Sequence, residues 1–227
     1  GFGSVEGVLN AKLELFEQTS TSGARFYNCD DPRLAETVPA RFPGAKSFGA
    51  NSQARTRATG ISLDSRARAT FTLDGEVTVR LNIPGRHNVL NALAAAAVGR
   101  EFGLSGEQIR DGLEAAEPMN MRMEMRCAGG VKILNDCYNA NPSSVIEALN
   151  TLQQIEHAGR RLAVLGEMRE LGTAAADMHG HVARDAASRG LELVLFVGDF
   201  AQQMKEKFIQ AGGKRDQGGR TSRERCL

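Results

Sequence analysis

The chain has 227 residues, 41% of them hydrophobic and 24% charged, with a formal net charge of +1, which suits one or two domains with a core of ordinary size. This near-neutral charge, with 5% aromatic residues and no tryptophan, argues against a nucleic-acid partner, because such a partner needs clustered basic groups or stacking surfaces. The longest apolar run, "VLNALAAAAVG", is too short and too rich in alanine to span a bilayer, so we expect no membrane insertion.

The four cysteines are scattered, and neither a C-x-x-C pair nor a histidine at zinc-binding spacing accompanies them. The sequence therefore predicts neither a metal cage nor a disulfide framework, and reduced thiols fit a cytoplasmic protein. The first residues, "GFGSVEGVLN", contain no initiator methionine and enter a structured pattern at once. We expect the chain to be a fragment of a longer protein.

The first part of the chain begins with a predicted helix and continues with strands. Apolar residues at helical spacing predict a helix over 5–17, and a short strand is predicted over 24–27. Apolar and polar residues then alternate between 57 and 83, around Asp74-Gly75. Because Asp-Gly accepts the positive φ angles of a tight type I′ turn, this stretch predicts an antiparallel hairpin.

Two helices are predicted after the hairpin. Pro84-Gly85 ends the strands, and "NVLNALAAAAVGREFG" places apolar side chains on one helical face with a glycine after the last turn, which predicts a buried helix. Ser105 and Gln108 form a capping box for a second helix. The periodic pattern breaks in "EPMNMRMEM", so we place a domain boundary near Pro118.

Beyond this boundary, the short apolar runs "VKILND", "RLAVLGE" and "LELVLFVGD" alternate with amphipathic helices. The helices are predicted from near Ser144, which forms a capping box with Glu147, from near Thr173, and through Phe208. Such alternation is typical of a parallel sheet with right-handed crossovers, in which ligands bind at the carboxyl ends of the strands. Residues 212–227 lack periodicity and are rich in glycine and arginine, so we expect a disordered tail.

A burst of polar residues, "NDCYNANPSS", follows the first of these runs. Asp136 at the tip of a strand could accept hydrogen bonds from ribose hydroxyls, and Asn139 and Asn141 could contact a polar ligand. Equally, the residues could serve a turn and a helix cap, with Pro142 fixing φ and Ser143 or Ser144 capping the next helix. The local pattern leaves both interpretations open.

Two further stretches contain polar residues at helical positions. In "GRHNVLNA", His87, Asn88 and Asn91 lie at a helix start, where the amides could pair with the edge of a purine or simply cap the helix. In "AKLELF", Lys12 has apolar neighbours. Most such lysines extend to water, but a partly buried one could react with carbon dioxide to give a carbamate that binds a cation.

"MNMRMEM" places Arg122 and Glu124 among methionines, an arrangement that suits either an arginine reaching a phosphate or a structural ion pair. In "LGEMRELG" and the helix after it, we expect His179 to be a satisfied core or surface histidine. The sequence has no G-x-x-x-x-G-K-[ST] loop to hold the β- and γ-phosphates of ATP. It also has no G-x-G-x-x-G, which argues against a dinucleotide dehydrogenase.

Taken in order, several stretches resemble the Mur ligases: "GFGSVEGVLNAKLELF", "NCDDP", "PGRHNVLNALAAAA", "RMEM", "ILNDCYNANPSS", and "LGEMRELG" with the later histidine. The resemblance extends from Gly1 to about Gly198 and implies an α/β fold. Residues 1–117 would be the remainder of a central ATPase domain with a mixed sheet. Residues 118–211 would be a Rossmann-like domain with a parallel sheet, and 212–227 the tail.

The resemblance implies an ATP-dependent amide ligase of peptidoglycan precursor synthesis that uses ATP and Mg²⁺. "DCYNANPSS" matches the branch of the family that adds D-alanyl-D-alanine to UDP-N-acetylmuramoyl-tripeptide through an acyl phosphate. Such an enzyme is expected to be a cytoplasmic monomer. The other interpretations are a non-catalytic nucleotide-binding remnant and another amide ligase of the superfamily, either a sister Mur ligase or a folylpolyglutamate synthetase.

Each matched stretch carries an implied role. Lys12 resembles the carbamylated lysine that holds a magnesium ion, and Arg122 resembles the arginine that reaches the γ-phosphate. The remaining matches are with adenine contacts (His87, Asn88, Asn91), a ribose contact (Asp136) and a loop facing the dipeptide (Tyr138, Asn139, Asn141). The P-loop, the first magnesium ligands and the UDP-sugar domain of the family are missing. We therefore expect the chain alone to be unable to hydrolyse ATP.

Overall fold

The computed structural model describes residues 4–50 and 53–214. The chain divides into two compact units, which are Gly1–Asp64 with Arg68–Glu117 (the first unit) and Ser65–Ala67 with Pro118–Leu227 (the second unit). None of the helices in the described ranges has the length and apolar character that a membrane span requires. The predicted α/β class is confirmed, with a mixed sheet in the first unit and a parallel strand pair in the second.

The first unit is built on a five-stranded sheet in the order β1-β2-β3-β4-β5. Its elements are α1 (Val5–Gln18), β1 (Phe26–Asn28), α2 (Pro32–Arg41), β2 (Lys46–Gly49), β3 (Thr56–Leu63), β4 (Arg68–Leu73), β5 (Val77–Pro84), α3 (Asn88–Glu101) and α4 (Gly106–Glu114). Strands β1, β2 and β3 pair in parallel, whereas β3, β4 and β5 are antiparallel. The sequence indicated neither α2 nor β2, although Asp31 caps α2 and Pro32 occupies its first turn.

The predicted hairpin is the β4–β5 pair. Its turn has positive φ at both central residues, 53° at Asp74 and 78° at Gly75, and Glu76 N–H donates to Leu73 O at 2.9 Å. The Asp74 carboxylate also accepts the Arg57 N–H at 2.8 Å, so the turn is joined to β3. Both helices predicted after the hairpin form, and both hydrogen bonds of the α4 capping box are present.

Helix α3 supplies much of the first unit's core. Val89 and Leu93 lie on its buried face together with the small residues Ala92 and Ala96. They pack with sheet residues that include Phe71, which is 1% exposed. The alanines let the helix lie close to the sheet, and this contact fixes where the amino end of α3 is held.

As far as residue 214, the second unit contains two short strand pairs and three α-helices. Its elements are β6 (Glu124–Ala128), β7 (Val131–Asn135), α5 (Pro142–Gln154), β8 (Leu162–Leu165), a 3-10 turn (Gly172–Ala174), α6 (Ala175–Ala187), β9 (Leu193–Phe196) and α7 (Ala201–Gln210). Strands β8 and β9 are parallel, as predicted. Alternate residues of both strands join the core with residues of the three helices, among them Leu149, Val182 and Phe208.

Strand β7 differs from the prediction. It was expected in the parallel sheet, but among the described residues it pairs only with β6, antiparallel and in a register that sets Ala128 opposite Val131. Gly129 and Gly130, with φ of 55° and 79°, make the two-residue turn. Such a turn needs positive φ at both positions, which two glycines adopt without strain. The Gly-Gly pair was therefore the missed signal for a hairpin.

Helix α5 also begins earlier than predicted. Asn141 is its N-cap, Pro142 is its first residue, and the capping box joins Asn141 to Ser144 rather than Ser144 to Glu147. The proline explains the shift, because its fixed φ suits the first turn of a helix, where a missing N–H costs nothing. Of the predicted disordered tail, 212–227, the part from residue 215 onward lies outside the described residues.

Candidate functional site

The amino end of α3 holds a ladder of polar side chains. Asn88 is buried, and its amide donates to Pro84 O at 2.8 Å and to His87 Nε2 at 3.2 Å. Its carbonyl oxygen accepts from Asn91 Nδ2 at 2.9 Å. Both N–H groups of the Asn88 amide are therefore used within the protein, and this one side chain orients both His87 and Asn91.

The three polar residues of this ladder differ in what they leave available to a ligand. Asn91 is exposed on α3 and donates one side-chain N–H to Asn88. Its side-chain carbonyl oxygen is not used in that hydrogen bond and can accept one from a ligand. His87 is half-buried, and its Nε2 faces Asn88. Asn88 is buried and its hydrogen bonds arrange the other two, while its predicted contact with adenine stays a prediction.

Lys12 lies in the middle of α1, one residue before Leu13, which is 1% exposed. The Lys12 side chain is exposed, as expected for most lysines among apolar neighbours, and is not partly buried. Within residues 4–50 and 53–214, no group of three or more His, Cys, Asp or Glu side chains is placed to hold a metal ion. The carbamate role of Lys12 stays a prediction.

In the second unit, the "MRME" and "NDCY" motifs lie against each other. Met123 N–H donates to Asp136 Oδ1 at 3.0 Å, and Tyr138 N–H donates to Met121 O at 3.1 Å. Met121 and Met123 both have left-handed backbones, with φ of 58° and 50°. Residues other than glycine rarely adopt this backbone conformation, because it costs free energy. These hydrogen bonds therefore stabilise an otherwise unfavourable local structure.

Glu124 contributes to the same arrangement. Its carboxylate accepts from Arg126 Nε at 2.8 Å, from Met121 N–H at 3.1 Å and from Asn135 Nδ2 at 3.4 Å. The Arg126 guanidinium, followed by the Met121 N–H, lowers the pKa of Glu124 below its ordinary value. The ion pair weighed above for Arg122 and Glu124 is therefore not formed, because Glu124 pairs with Arg126.

The Arg122 guanidinium lies over the Tyr138 ring, with its central carbon 4.2 Å from the ring centroid. This is a cation–π contact between a flat cation and the face of the ring. Both side chains are exposed, Tyr138 to 58%. Within the described residues, the guanidinium has no hydrogen-bond acceptor or carboxylate partner, which leaves its N–H groups available to an anion.

In the loop after Tyr138, the asparagine side-chain oxygens accept hydrogen bonds from backbone N–H groups. Asn139 Oδ1 accepts the Ala140 N–H at 2.9 Å, and Asn141 Oδ1 accepts the Ser144 N–H at 2.9 Å as the cap of α5. The Asn141 oxygen therefore has the capping role that was predicted for a serine. Both asparagines remain exposed, so the proposed contact of Asn139 and Asn141 with a substrate stays a prediction.

His179 is fully buried, as a satisfied core histidine. Met168 N–H donates to its Nε2 at 2.9 Å, and the Nδ1 faces Ala175 O at 2.7 Å. Because a backbone N–H can only donate, Nε2 must be unprotonated and Nδ1 must carry the proton. The ring also stacks on Phe200, with 4.2 Å between centroids. The expectation for His179 is confirmed, and its contacts join "LGEMRELG" to α6.

Comparison with known proteins assigns both units to one family. The model of the Mur ligase middle domain matches residues 1–99, and that of the Mur ligase glutamate ligase domain matches residues 121–224. The chain belongs to the Mur ligase family. This confirms the resemblance found in the sequence, and α4 lies in the stretch between the two matched regions.

Individual Mur ligases match over most of the chain. UDP-N-acetylmuramoyl-tripeptide--D-alanyl-D-alanine ligase of Mycobacterium tuberculosis (strain H37Rv) is 38% identical over 206 residues, which cover 87% of this chain and 40% of that protein. The protein of the same name from Bacillus subtilis (strain 168) is 35% identical over 172 residues, or 75% of this chain and 37% of that protein. A crystal structure of MurF from Acinetobacter baumannii superposes with a TM-score of 0.85 at 30% identity. The superposition covers 97% of this chain and 47% of that one. The chain thus spans less than half the length of these relatives.

Two residues that support this candidate site were not recognised in the sequence. Glu124 was considered only as a partner of Arg122, and Asn135 was not considered at all. They stand opposite each other in the β6–β7 register, and Asn135 Nδ2 donates to the Glu124 oxygen that also accepts the Met121 N–H. Recognising the Gly-Gly hairpin would have placed them together.

The described residues fit parts of a nucleotide and do not by themselves fit a metal ion. The exposed carbonyl oxygen of Asn91 suits an amino group on a purine edge, and the Arg122 guanidinium suits phosphate oxygens. For Mg²⁺, which prefers carboxylate and water oxygens, the described ranges offer Lys12 without a set of carboxylates around it. No chemical step is therefore assigned to a metal.

Proposed function

We propose that the protein is an ATP-dependent amide ligase of peptidoglycan precursor synthesis, which joins D-alanyl-D-alanine to UDP-N-acetylmuramoyl-tripeptide in the cytoplasm and acts as a monomer. The similarity to the ligases of that name supports this substrate pair. The observation that carries the proposal is the Arg122 guanidinium, which is held on a tyrosine ring with its N–H groups turned to no carboxylate among the described residues. Such a group is suited to phosphate oxygens.

In this proposal, the first unit binds the base of ATP. Asn88 holds Asn91 and His87 at the amino end of α3, and these two side chains contact the adenine edge. Amide groups can both donate to and accept from a purine, so the orientation set by Asn88 decides which edge is recognised. The first unit corresponds to the latter part of the central ATP-binding domain, residues 1–117.

The second unit supplies contacts to the ribose, the phosphates and the incoming amine. Asp136 Oδ1 accepts the Met123 N–H, and the second carboxylate oxygen of Asp136 accepts from a ribose hydroxyl. Arg122 binds the γ-phosphate, and Tyr138, Asn139 and Asn141 face the dipeptide. This unit corresponds to most of the C-terminal Rossmann-like domain, residues 118–211.

The chemistry requires activation, because a free carboxylate repels an amine nucleophile. ATP supplies the phosphoryl group that activates the carboxyl end of the tripeptide. A guanidinium such as that of Arg122 offsets the negative charge that builds up when a phosphoryl group lies between two anions. Lys12, as a carbamate, would hold Mg²⁺ in the family pattern, but the described residues support no step through that ion.

The proposal is tested by supplying the N-terminal portion of the Mycobacterium tuberculosis relative in trans to the 227-residue chain. Phosphate release that requires both UDP-N-acetylmuramoyl-tripeptide and D-alanyl-D-alanine would support the proposed ligase. Replacement of the dipeptide by L-alanine or by glutamate tests for a sister ligase, and either compound driving turnover in its place would overturn the substrate assignment. The chain alone is expected to release no phosphate from ATP.

A second candidate is a nucleotide-binding remnant without catalysis. The intact ladder at α3 and the available Arg122 favour it, because both can bind ATP without any chemistry. Saturable ATP binding by the 227-residue chain, with no turnover in the complemented assay, would support the remnant. In that outcome the ligase proposal is wrong and the nucleotide contacts stand.

A further inference from the structure

The backbone on both sides of Arg122 is fixed by the structure around it. Met121 and Met123, its two neighbours, are left-handed, and each is held by hydrogen bonds to the segment 135–138 or to Glu124. Such a backbone leaves the Cα–Cβ bond of Arg122 little freedom of direction. The side chain beyond Cβ, however, is long and exposed, and backbone contacts alone do not orient its guanidinium.

The Tyr138 ring supplies the missing constraint. Its centroid lies 4.2 Å from the central carbon of the guanidinium, so the cation lies over the ring. The tyrosine is itself held at its backbone, because its N–H donates to Met121 O at 3.1 Å. Ring and guanidinium are thus fixed to the same pair of backbone segments.

The contact leaves the useful part of the guanidinium accessible. The five N–H groups of arginine point outward in its plane, where a carboxylate or phosphate can accept from two of them at once. Glu124, the nearest acidic residue in sequence, is occupied by Arg126, Asn135 and the Met121 N–H. Within the described ranges, no other acceptor engages Arg122, and its edge is available to an oxyanion.

We propose that Tyr138 is a positioning residue for Arg122, which holds the guanidinium plane so that its N–H edge meets the terminal phosphate oxygens of a nucleoside triphosphate. The inference rests on the proposed function. It differs from the role expected above, in which Tyr138 faces the dipeptide. The phenol hydroxyl is not needed in the positioning role, because the face of the ring makes the contact.

The test compares Tyr138→Phe, which keeps the ring, with Tyr138→Leu, which removes it. A cation–π contact at an exposed site has a strength that corresponds to about two- to fivefold in an equilibrium constant. We therefore expect Tyr138→Leu to weaken binding of ATP to the 227-residue chain by about two- to fivefold. AMP binding should not change, and Tyr138→Phe should match the unaltered chain.

Two controls test whether the effect of Tyr138→Leu comes from Arg122, and not from a general effect of removing an exposed aromatic ring. Phe102→Leu removes a ring that is 82% exposed and touches no arginine cation, and it should leave ATP affinity unchanged. Arg122→Lys removes the planar cation, and adding Tyr138→Leu to it should weaken ATP binding no further. An equal loss for Tyr138→Leu in both backgrounds would overturn the proposal, since the ring would then act without Arg122.

NMR spectroscopy tests the contact between Arg122 and Tyr138 in the absence of nucleotide. The side-chain NMR signals of Arg122 should be shifted upfield by the ring in the unaltered chain and in Tyr138→Phe, and should return to ordinary positions in Tyr138→Leu. Unshifted Arg122 signals in the unaltered chain would overturn the positioning role. If the shift is present but the chain does not discriminate ATP from AMP, the proposed phosphate contact is wrong instead. In the complemented assay, a higher KM for D-alanyl-D-alanine with unchanged ATP affinity in Tyr138→Leu would return Tyr138 to the dipeptide.

Discussion

Asn88 and Asn141 both resemble ligand contacts in the sequence, and both use their side-chain oxygen within the protein. Asn88 links Pro84 O, His87 and Asn91, whereas Asn141 caps α5. The sequence correctly indicated where polar residues concentrate. It could not show which of them remain available, because that depends on which backbone groups come within hydrogen-bond distance.

Replacing Asn88 with Ala should therefore destabilise the first unit. The change leaves the buried Pro84 carbonyl without its donor and frees Asn91, so we expect a loss of about 1–3 kcal/mol in unfolding free energy. Asn91→Ala, at an exposed position that gives up one hydrogen bond, should change stability by about 0.5 kcal/mol or less. Urea unfolding of the 227-residue chain measures both. If the two variants were equally stable, Asn88 would not be the residue that organises the ladder.

Glu124 gives a pH dependence whose sign follows from its contacts. Arg126 and the Met121 N–H lower the pKa of Glu124 in the folded chain. The ionised carboxylate therefore stabilises the fold at pH values above 4.5, the ordinary pKa of this group. That contribution is lost as pH falls through the lower, folded value. We expect the NMR signal of the Met121 amide to move in this acid range in the unaltered chain and to stay constant in Glu124→Gln. A titration that persists in Glu124→Gln would show that another group holds Met121.

At the scale of elements, two patterns with local causes were predicted correctly, whereas the capping box of Ser144 with Glu147 was not. The Asp74-Gly75 turn and the Ser105 capping box depend on neighbours within a few residues, and both form as expected. The pairing of β7 depended on a choice between β6, its neighbour in sequence, and the strands of the later parallel runs. Alternation alone does not identify a strand's partner, and the parallel rhythm of the later runs favoured the wrong one.

The β6–β7 hairpin can be tested through its turn. At Gly129, φ is 55° and no atom lies within 4 Å of an added Cβ, so Gly129→Ala should cost about 1–2 kcal/mol from backbone strain alone. Gly159 has equally open surroundings but no left-handed backbone, and Gly159→Ala should be neutral or slightly stabilising. Urea midpoints of the two variants give the comparison. A neutral Gly129→Ala would be inconsistent with the left-handed turn.

At the scale of the whole molecule, each hydrophobic core draws its residues from one unit. The core around Phe71 and Leu93 lies within the first unit, and the core around Leu149 and Phe208 lies within the second. The change of sequence rhythm near Pro118 follows from this division, because a mixed sheet and a parallel strand pair bury different patterns of residues. The placement of Ser65–Ala67 with the second unit could not be predicted, since a three-residue turn carries no pattern of its own.

Two matched substitutions test whether these cores unfold as separate cooperative units. Leu93 is fully buried and Leu149 is 3% exposed, so either leucine changed to Ala leaves a cavity and should cost about 2–5 kcal/mol. In calorimetry of the 227-residue chain, we expect Leu93→Ala to lower one thermal transition and Leu149→Ala to lower the other. Each variant should leave the second transition within the error of the unaltered chain, because the lost contacts lie in one core. A single transition that both variants lower equally would mean that the chain unfolds as one cooperative unit, and the assignment of residues 1–117 and 118–211 to separate domains would then be wrong.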